Sequence, residues 1–267
     1  MERQVYRYLV RDSGMSESSL QRLFKRLLSK APEVVILPKH KTHLLIDGTY
    51  FANGLCLILY YDFDNRYVQL FRHTNEEKFI EIYEDLLNLK KLGVDIYSFT
   101  CDGHKAILKA IKKVYPNALI QRCVLHVKRQ ARSYLSSSPT TLPAQELLYI
   151  AKKLTSFKTQ EDCGLWLLKF KQWCDENKDY VKEKSYNIES QRYWYTHKNL
   201  HAAYSLILNA IPYLFHYIDD PEIPKTTNCI EGYFSHLKDK LMLHRGLRLE
   251  AKKMFIKWYL HFVNNGS

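Results

Sequence analysis

The period of the apolar positions changes twice along the chain. After Gly14, Ser16 is placed to cap a helix in which Leu20, Leu23, Phe24, Leu27 and Leu28 follow helical spacing, with Arg22, Lys25, Arg26 and Lys30 on the other face. A helix over residues 5–11 and a turn at Asp12-Ser13-Gly14 would complete a helix-turn-helix-like segment over 1–38; an amphipathic helix docked on the main body fits the same pattern. From His43 the pattern turns to strands. Apolar runs at 43–47, 54–61 and 66–71 predict three strands, the last after a turn at Asp62-Phe63-Asp64-Asn65. A helix over 76–91, a strand over 94–101, a helix over 105–114, a short strand over 118–121 and a helix over 124–134 follow. Strands with short connections pair antiparallel, and strands joined through helices must be parallel crossovers. The prediction is an α/β chain with a mixed five-stranded sheet, three antiparallel strands followed by parallel crossovers.

Ser136-Ser137-Ser138-Pro139 ends this run, and residues 140–217 show only helical patterns. An all-helical insertion over 137–224 is therefore expected, closed by Pro221 and Pro224. Helices over 229–241 and 249–263 return to the main body. The expected organisation is a segment over 1–38, a core from 39–136 plus 225–267, and the insertion between them.

A hydrophobic content of 46% with 25% charged residues is that of a globular protein and excludes a disordered one. No apolar run approaches a membrane span, the start lacks a secretory pattern, and six scattered cysteines show no C-x-x-C pair; a reducing cytoplasm is expected. The net charge of +12 points to a polyanionic partner, nucleic acid first.

Two acids stand where predicted strands end, Asp47 and Asp102. Acids at the carboxyl ends of adjacent parallel strands lie side by side outside the sheet, where ligands bind. Glu231 neighbours the apolar stripe Ile230, Phe234, Leu237 and Leu241, so it can border the sheet and reach its edge. Three converging carboxylates suit hard divalent ions, Mg²⁺ or Mn²⁺, and two such ions can assist an in-line displacement at phosphorus. Each acid also has a plain structural role available: Asp47-Gly48 as a turn, Asp102 as a helix cap, Asn228 and Glu231 as a capping box.

Five strings in order set these acids in a context: Ile46-Asp47-Gly48-Thr49-Tyr50, Cys101-Asp102-Gly103-His104, Gln121-Arg122-Cys123-Val124-Leu125-His126-Val127, Thr226-Thr227-Asn228-Cys229-Ile230-Glu231-Gly232 and His244-Arg245-Gly246-Leu247. Together they resemble the bacterial insertion-sequence transposases of the Mutator-like superfamily, over roughly residues 40–263. The resemblance implies an RNase H-like fold with a helical domain inserted before the last acid, and a DDE triad at Asp47, Asp102 and Glu231. It implies hydrolysis at transposon ends and strand transfer of the freed 3′-hydroxyl into target DNA. The implied partners are double-stranded DNA, both terminal inverted repeats and target, and further copies of the chain; the implied setting is the bacterial nucleoid. A decayed or repurposed DNA-binding relative without mobilising activity is the alternative, and a cellular RNase H-like nuclease a third.

Cys123 and His126 match a C-x-x-H pair that the superfamily carries after its second acid, with His126 placed to contact a phosphate or orient a carboxylate. Cys101 and His104 form a second such pair, so a Cys₂His₂ zinc site is a further candidate. Arg122, Lys128, Arg129 and Arg245 are the first candidates for DNA phosphates, with Arg132 and Lys238 after them. Trp166, Tyr193, Trp194 and Tyr195 are candidates for stacking on an unpaired base, or for core positions.

Overall fold

The sheet is built around β1 (Lys39–Phe51). This computed structural model describes residues 6–37, 39–243 and 246–265. On one side β1 pairs antiparallel with β2 (Leu55–Asp62), which pairs antiparallel with β3 (Tyr67–Thr74); on the other it runs parallel to β4 (Val94–Cys101), which is parallel to β5 (Leu119–Arg122). The order is β3-β2-β1-β4-β5, the mixed sheet expected from the spacing of the apolar runs and an RNase H-like arrangement. Both crossovers are helices, α3 (Phe79–Lys91) and α4 (Lys105–Val114).

Side-chain alternation along the strands makes two cores. Leu44 and Ile46 of β1, with Ile58, Tyr60 and Phe99, face Ile82, Leu86 and Leu89 of α3 and Ile107 and Ile111 of α4. Leu45, Leu57, Leu59 and Tyr61 face the opposite way, onto Ile230, Phe234, Leu237 and Leu241 of α11 (Asn228–Met242) and Ile256 and Leu260 of α12 (Leu249–Asn265), the stripe expected for the helix of Glu231. Following β5, α5 (Val124–Leu135) turns Val127, Ala131 and Leu135 into a third core made by α6 (Leu142–Lys152), α7 (Gln160–Glu176) and α9 (Lys198–Ala210).

Two sequence expectations need correction. The insertion is not all helical. After the short α8 (Lys178–Lys182), strands β6 (Lys184–Asn187) and β7 (Arg192–Tyr195) form an antiparallel hairpin. Its alternation is masked because aromatic residues stand on both faces, Tyr186, Tyr193 and Trp194 all being exposed. Nor does β1 end at Asp47: parallel pairing with β4 stops at Ile46–Cys101, but antiparallel pairing with β2 carries the strand on to Phe51. At the start, α1 (Tyr6–Ser13) and α2 (Glu17–Leu28) form the expected helix pair, Ser16 accepting from the Ser19 N–H as cap. Leu20 of α2 is buried and Leu27 and Leu28 are exposed, so its apolar face is only partly covered.

After the short α10 (His216–Asp219), polar links fix the return from the insertion to the sheet. Thr100 Oγ1 donates to the Pro224 carbonyl (2.5 Å), Gln121 Nε2 to the Leu214 carbonyl (2.9 Å), and the Val124 N–H to the Lys225 carbonyl (3.1 Å). They set where α11 begins. On the other face α3 is pinned by Asp85, whose buried carboxylate accepts from the Tyr60 hydroxyl (2.9 Å) and from Arg72 Nε and Nη2 (2.7 and 2.6 Å). Asp85→Ala would strand a buried hydroxyl and a half-buried guanidinium, lowering unfolding free energy by roughly 2–4 kcal/mol in urea titrations; an unchanged midpoint would remove this anchor.

Candidate active site

The parallel register brings the first two acids together. Ile46 lies opposite Cys101, so Asp47 and Asp102 are the next residues on neighbouring strands. Asp47 shares the face of Leu45, towards α11. It is 7% exposed, and its Oδ1 accepts from the Gly48 N–H at 2.9 Å. Asp102 follows the end of β4 and bends the chain into a tight loop in which its Oδ1 accepts from the His104 N–H at 2.7 Å.

That loop depends on a glycine and an arginine. Gly103 has φ +86°, a conformation that costs residues with a Cβ, and any Cβ there would overlap the Arg122 guanidinium. Arg122 Nη2 donates to the Asp102 carbonyl at 3.0 Å. Arg122 is 5% exposed, with burial lowering its pKa and its Nε buried without a hydrogen-bond partner. The expectation that Arg122 meets DNA phosphates is corrected: it ends β5 inside the protein and props the Asp102 loop.

Glu231 arrives from the opposite direction. The Thr227 carbonyl accepts from the Glu231 N–H at 3.1 Å, in the first turn of α11. Thr227 is wholly buried, its hydroxyl 3.4 Å from His126 Nδ1 and close enough to Asp47 to favour its carboxylate form slightly. The helix starts from Thr227 without a side-chain cap, so the Asn228–Glu231 capping box does not form and the Glu231 carboxylate is free to turn inward. Asp47, His126 and Glu231 each bring one ligand atom within 4.8 Å of the others, the only such trio among the described residues. Asp102 stands beside this trio and outside its 4.8 Å limit.

The charges act strongly on one another. Burial, reinforced by Asp102 and opposed by His126, pushes the Asp47 carboxyl up to about 6. His126 is raised, first by its hydrogen bond with Cys123 and then, against burial, by the charges of Cys123, Asp47 and Asp102. The same contact pulls the Cys123 thiol below its ordinary value although burial acts the other way. His126 is thus a cation among the acids. Arg129, on α5, sends Nη1 to both Glu231 oxygens at 2.8 Å. A fourth acid joins them that the sequence pattern had concealed. Glu77, between β3 and α3, is pushed up to about 7 by burial, then by Asp102 and Asp47. Expected in the first turn of a helix, it had the look of an ordinary helix-dipole acid.

The remaining candidates divide. Cys101 is fully buried in the core under α3 and α4, and His104 is half-exposed beside Glu77, so the two C-x-x-H pairs do not gather into a zinc site. Arg132 and Lys238 are exposed, Lys238 lying over the Phe51 ring. Lys128 is half-buried and donates to Thr155 Oγ1 at 3.0 Å. Arg245 lies outside the described residues. Trp166 is core, stacked on Phe170, and Tyr195 stacks on His201, while Tyr193 and Trp194 stand exposed.

Two carboxylates and an imidazole from separate elements converge, with the Asp102 carboxylate beside them, a donor set that a divalent cation fits.

Residues 72–193 match the family model described as transposase, Mutator family. The stretch holds Asp102, Cys123 and His126 and lies between Asp47 and Glu231. Among solved structures, the chain is similar to the HTLV-2 integrase catalytic core domain in complex with magnesium, at 16% identity over 44% of this chain and 84% of that one, with a TM-score of 0.25. A second is the simian T-cell lymphotropic virus intasome in complex with the PP2A regulatory subunit B56 gamma, at 14% identity over 74% of each chain and a TM-score of 0.27. These superpositions are loose, and the strand order carries the fold. No curated protein matches the sequence.

The raised acids fix the pH dependence of the metal-free protein. With Asp47 at about 6 and Glu77 at about 7, against ordinary values of 3.8 and 4.5, the folded state holds more protons than the unfolded state between about pH 4 and 7. The stabilising contribution is complete below the ordinary values and is lost as pH rises through 6 and 7. His126 contributes with the same sign at higher pH. Urea midpoints without metal should therefore fall from pH 5 to pH 8, more steeply in the natural protein than in Asp47→Asn. A midpoint that rises over this range, with the variant parallel to it, contradicts the assignment.

Proposed function

We propose that this chain, whose residues 72–193 match the model of the Mutator-family transposases, is a DDE transposase that cuts transposon ends and joins the freed 3′-hydroxyl to target DNA. The observation that carries this reading is the meeting of Asp47 and Glu231, 184 positions apart in sequence, beside Asp102 at one end of the sheet. Asp47, Asp102 and Glu231 would hold two Mg²⁺ or Mn²⁺ ions. When bound, such ions activate the attacking oxygen and stabilise the leaving oxygen at phosphorus, for water and for a 3′-hydroxyl alike.

The side chains supply the rest. Arg122 and Gly103 hold the Asp102 loop so that its carboxylate stays beside Asp47. The Gly48 N–H holds Asp47, and Thr227, at the head of α11, sets the turn that carries Glu231. His126 balances the acids while the site lacks cations. Its proton, held between Cys123 and the carboxylates, can pass to a carboxylate or a phosphate oxygen as charges change. Arg129 neutralises Glu231 and stands with the exposed Arg132 on one helix, at the site's edge, where a phosphate can exchange for the carboxylate. Lys128 and Lys238 are secondary candidates for phosphates, and Arg245 remains one on sequence grounds. Two element ends must be cut and joined together, so the working form would be an oligomer on double-stranded DNA, in the nucleoid. No helix of the described residues is long and apolar enough to cross a membrane.

The test is cleavage and joining of duplexes that carry the inverted repeats flanking the gene. Asp102→Asn and Glu231→Gln should fold normally, bind the duplex, and lower Mg²⁺-dependent cleavage on the order of a thousandfold or more. Retained cleavage in either variant removes that acid from the site. Duplex binding without cleavage by the natural protein would favour the repurposed DNA-binding relative.

A further inference from the structure

Glu77 has no role in the triad, yet the chain holds it where a carboxylate is costly. It lies in the link between β3 and α3, fixed on one side by Thr74 Oγ1 donating to Glu81 Oε2 (2.5 Å) and on the other by the Lys78 N–H donating to the Glu76 carbonyl (3.0 Å). Its side chain is 11% exposed. Among the described residues its one ion-pair partner is His104, whose Nδ1 is 3.5 Å from Glu77 Oε2, and no hydrogen-bond donor otherwise reaches the carboxylate. A helix-dipole acid would sit in the first turn facing backbone N–H groups; Glu77 precedes the cap residue Lys78 and points away from the helix, over β1. A buried carboxylate beside two others, without lysine or arginine, needs compensation from elsewhere.

The place it fills is made for it. Gly48 follows Asp47, on the opposite face of β1, and a Cβ at Gly48 would overlap Glu77 Oε1. The absence of a side chain there lets Glu77 come in over the strand where β1 has lost its β4 partner. Glu231 approaches from the α11 side already neutralised by Arg129; Glu77 approaches from the α3 side with only imidazoles, His104 at 3.5 Å and the charge of His126, to offset it.

We propose that Glu77 is a fourth acidic side chain of the divalent-cation site, sharing the cation with Asp47 and Asp102 from the α3 face of the sheet. This rests on the cation-dependent reading of Asp47, Asp102 and Glu231, and deepens it. Glu77 is a ligand in the DNA-free protein, and the missing side chain of Gly48 leaves the place its carboxylate takes; a Cβ there would push that carboxylate aside.

The experiment is Mn²⁺ titration of the full-length, DNA-free protein by calorimetry, with competition by Mg²⁺, on the natural chain, Glu77→Gln, Gly48→Ala and Asp102→Asn. Glu77→Gln should weaken Mn²⁺ binding by about tenfold or more. Gly48→Ala should do the same without altering any carboxylate. In the metal-free state Glu77→Gln should keep or raise the urea midpoint, because removing a crowded charge relieves repulsion; a structural ion pair with His104 would instead lower it. Should Glu77→Gln and Gly48→Ala bind Mn²⁺ like the natural protein while Asp102→Asn does not, Glu77 is excluded and the triad stands. If the natural protein shows no saturable, Mg²⁺-competed binding, both readings fall.

Discussion

Mutual repulsion among carboxylates is the constraint around which this molecule is arranged. Asp47, Asp102, Glu77 and Glu231 come from four separate segments, and an unassisted chain would let them drift apart into water. The fold spends several rigid devices on preventing this. Parallel pairing of β1 with β4 puts two acids side by side, the absent side chain of Gly48 admits a third, and the buried Thr227 turns α11 so that the fourth faces inward. Compensation within the protein is partial: Arg129 for Glu231, and the Cys123–His126 pair among the rest.

The large insertion fits the same logic. Its core is continuous with one face of α5, the helix that carries both His126 and Arg129. The packing of the insertion therefore fixes the helix that carries the cations next to the acids. The return of the chain at Pro224 and Lys225 is bonded to β4 and to the start of α5, which ties the first turn of α11 to the end of the sheet. Packing in one unit thereby sets electrostatics in the other.

Much of this was legible in the amino-acid order. Short links between apolar runs gave antiparallel pairing, helical links gave crossovers, and those two rules placed Asp47 beside Asp102. The stripe Ile230, Phe234, Leu237 and Leu241 marked the face that α11 lays on the sheet, because helix periodicity alone decides which side is buried. What escaped depended on contacts far apart in sequence. Arg122 looks like a surface base until β5 is seen to end against the Asp102 loop. Glu77 looks like a helix-start acid until Gly48 is seen beneath it. The β6–β7 hairpin was missed because its exposed aromatics erase the alternation that marks a strand.

The central claim is that these acids are gathered to hold divalent cations. Crystals soaked in Mn²⁺ and measured at the manganese absorption edge test it most directly. Anomalous density within bonding distance of both the Asp47 and Asp102 carboxylates is the predicted result. A well-ordered site in which those carboxylates lie apart, or meet only protein cations, with no anomalous peak at saturating Mn²⁺, would contradict it.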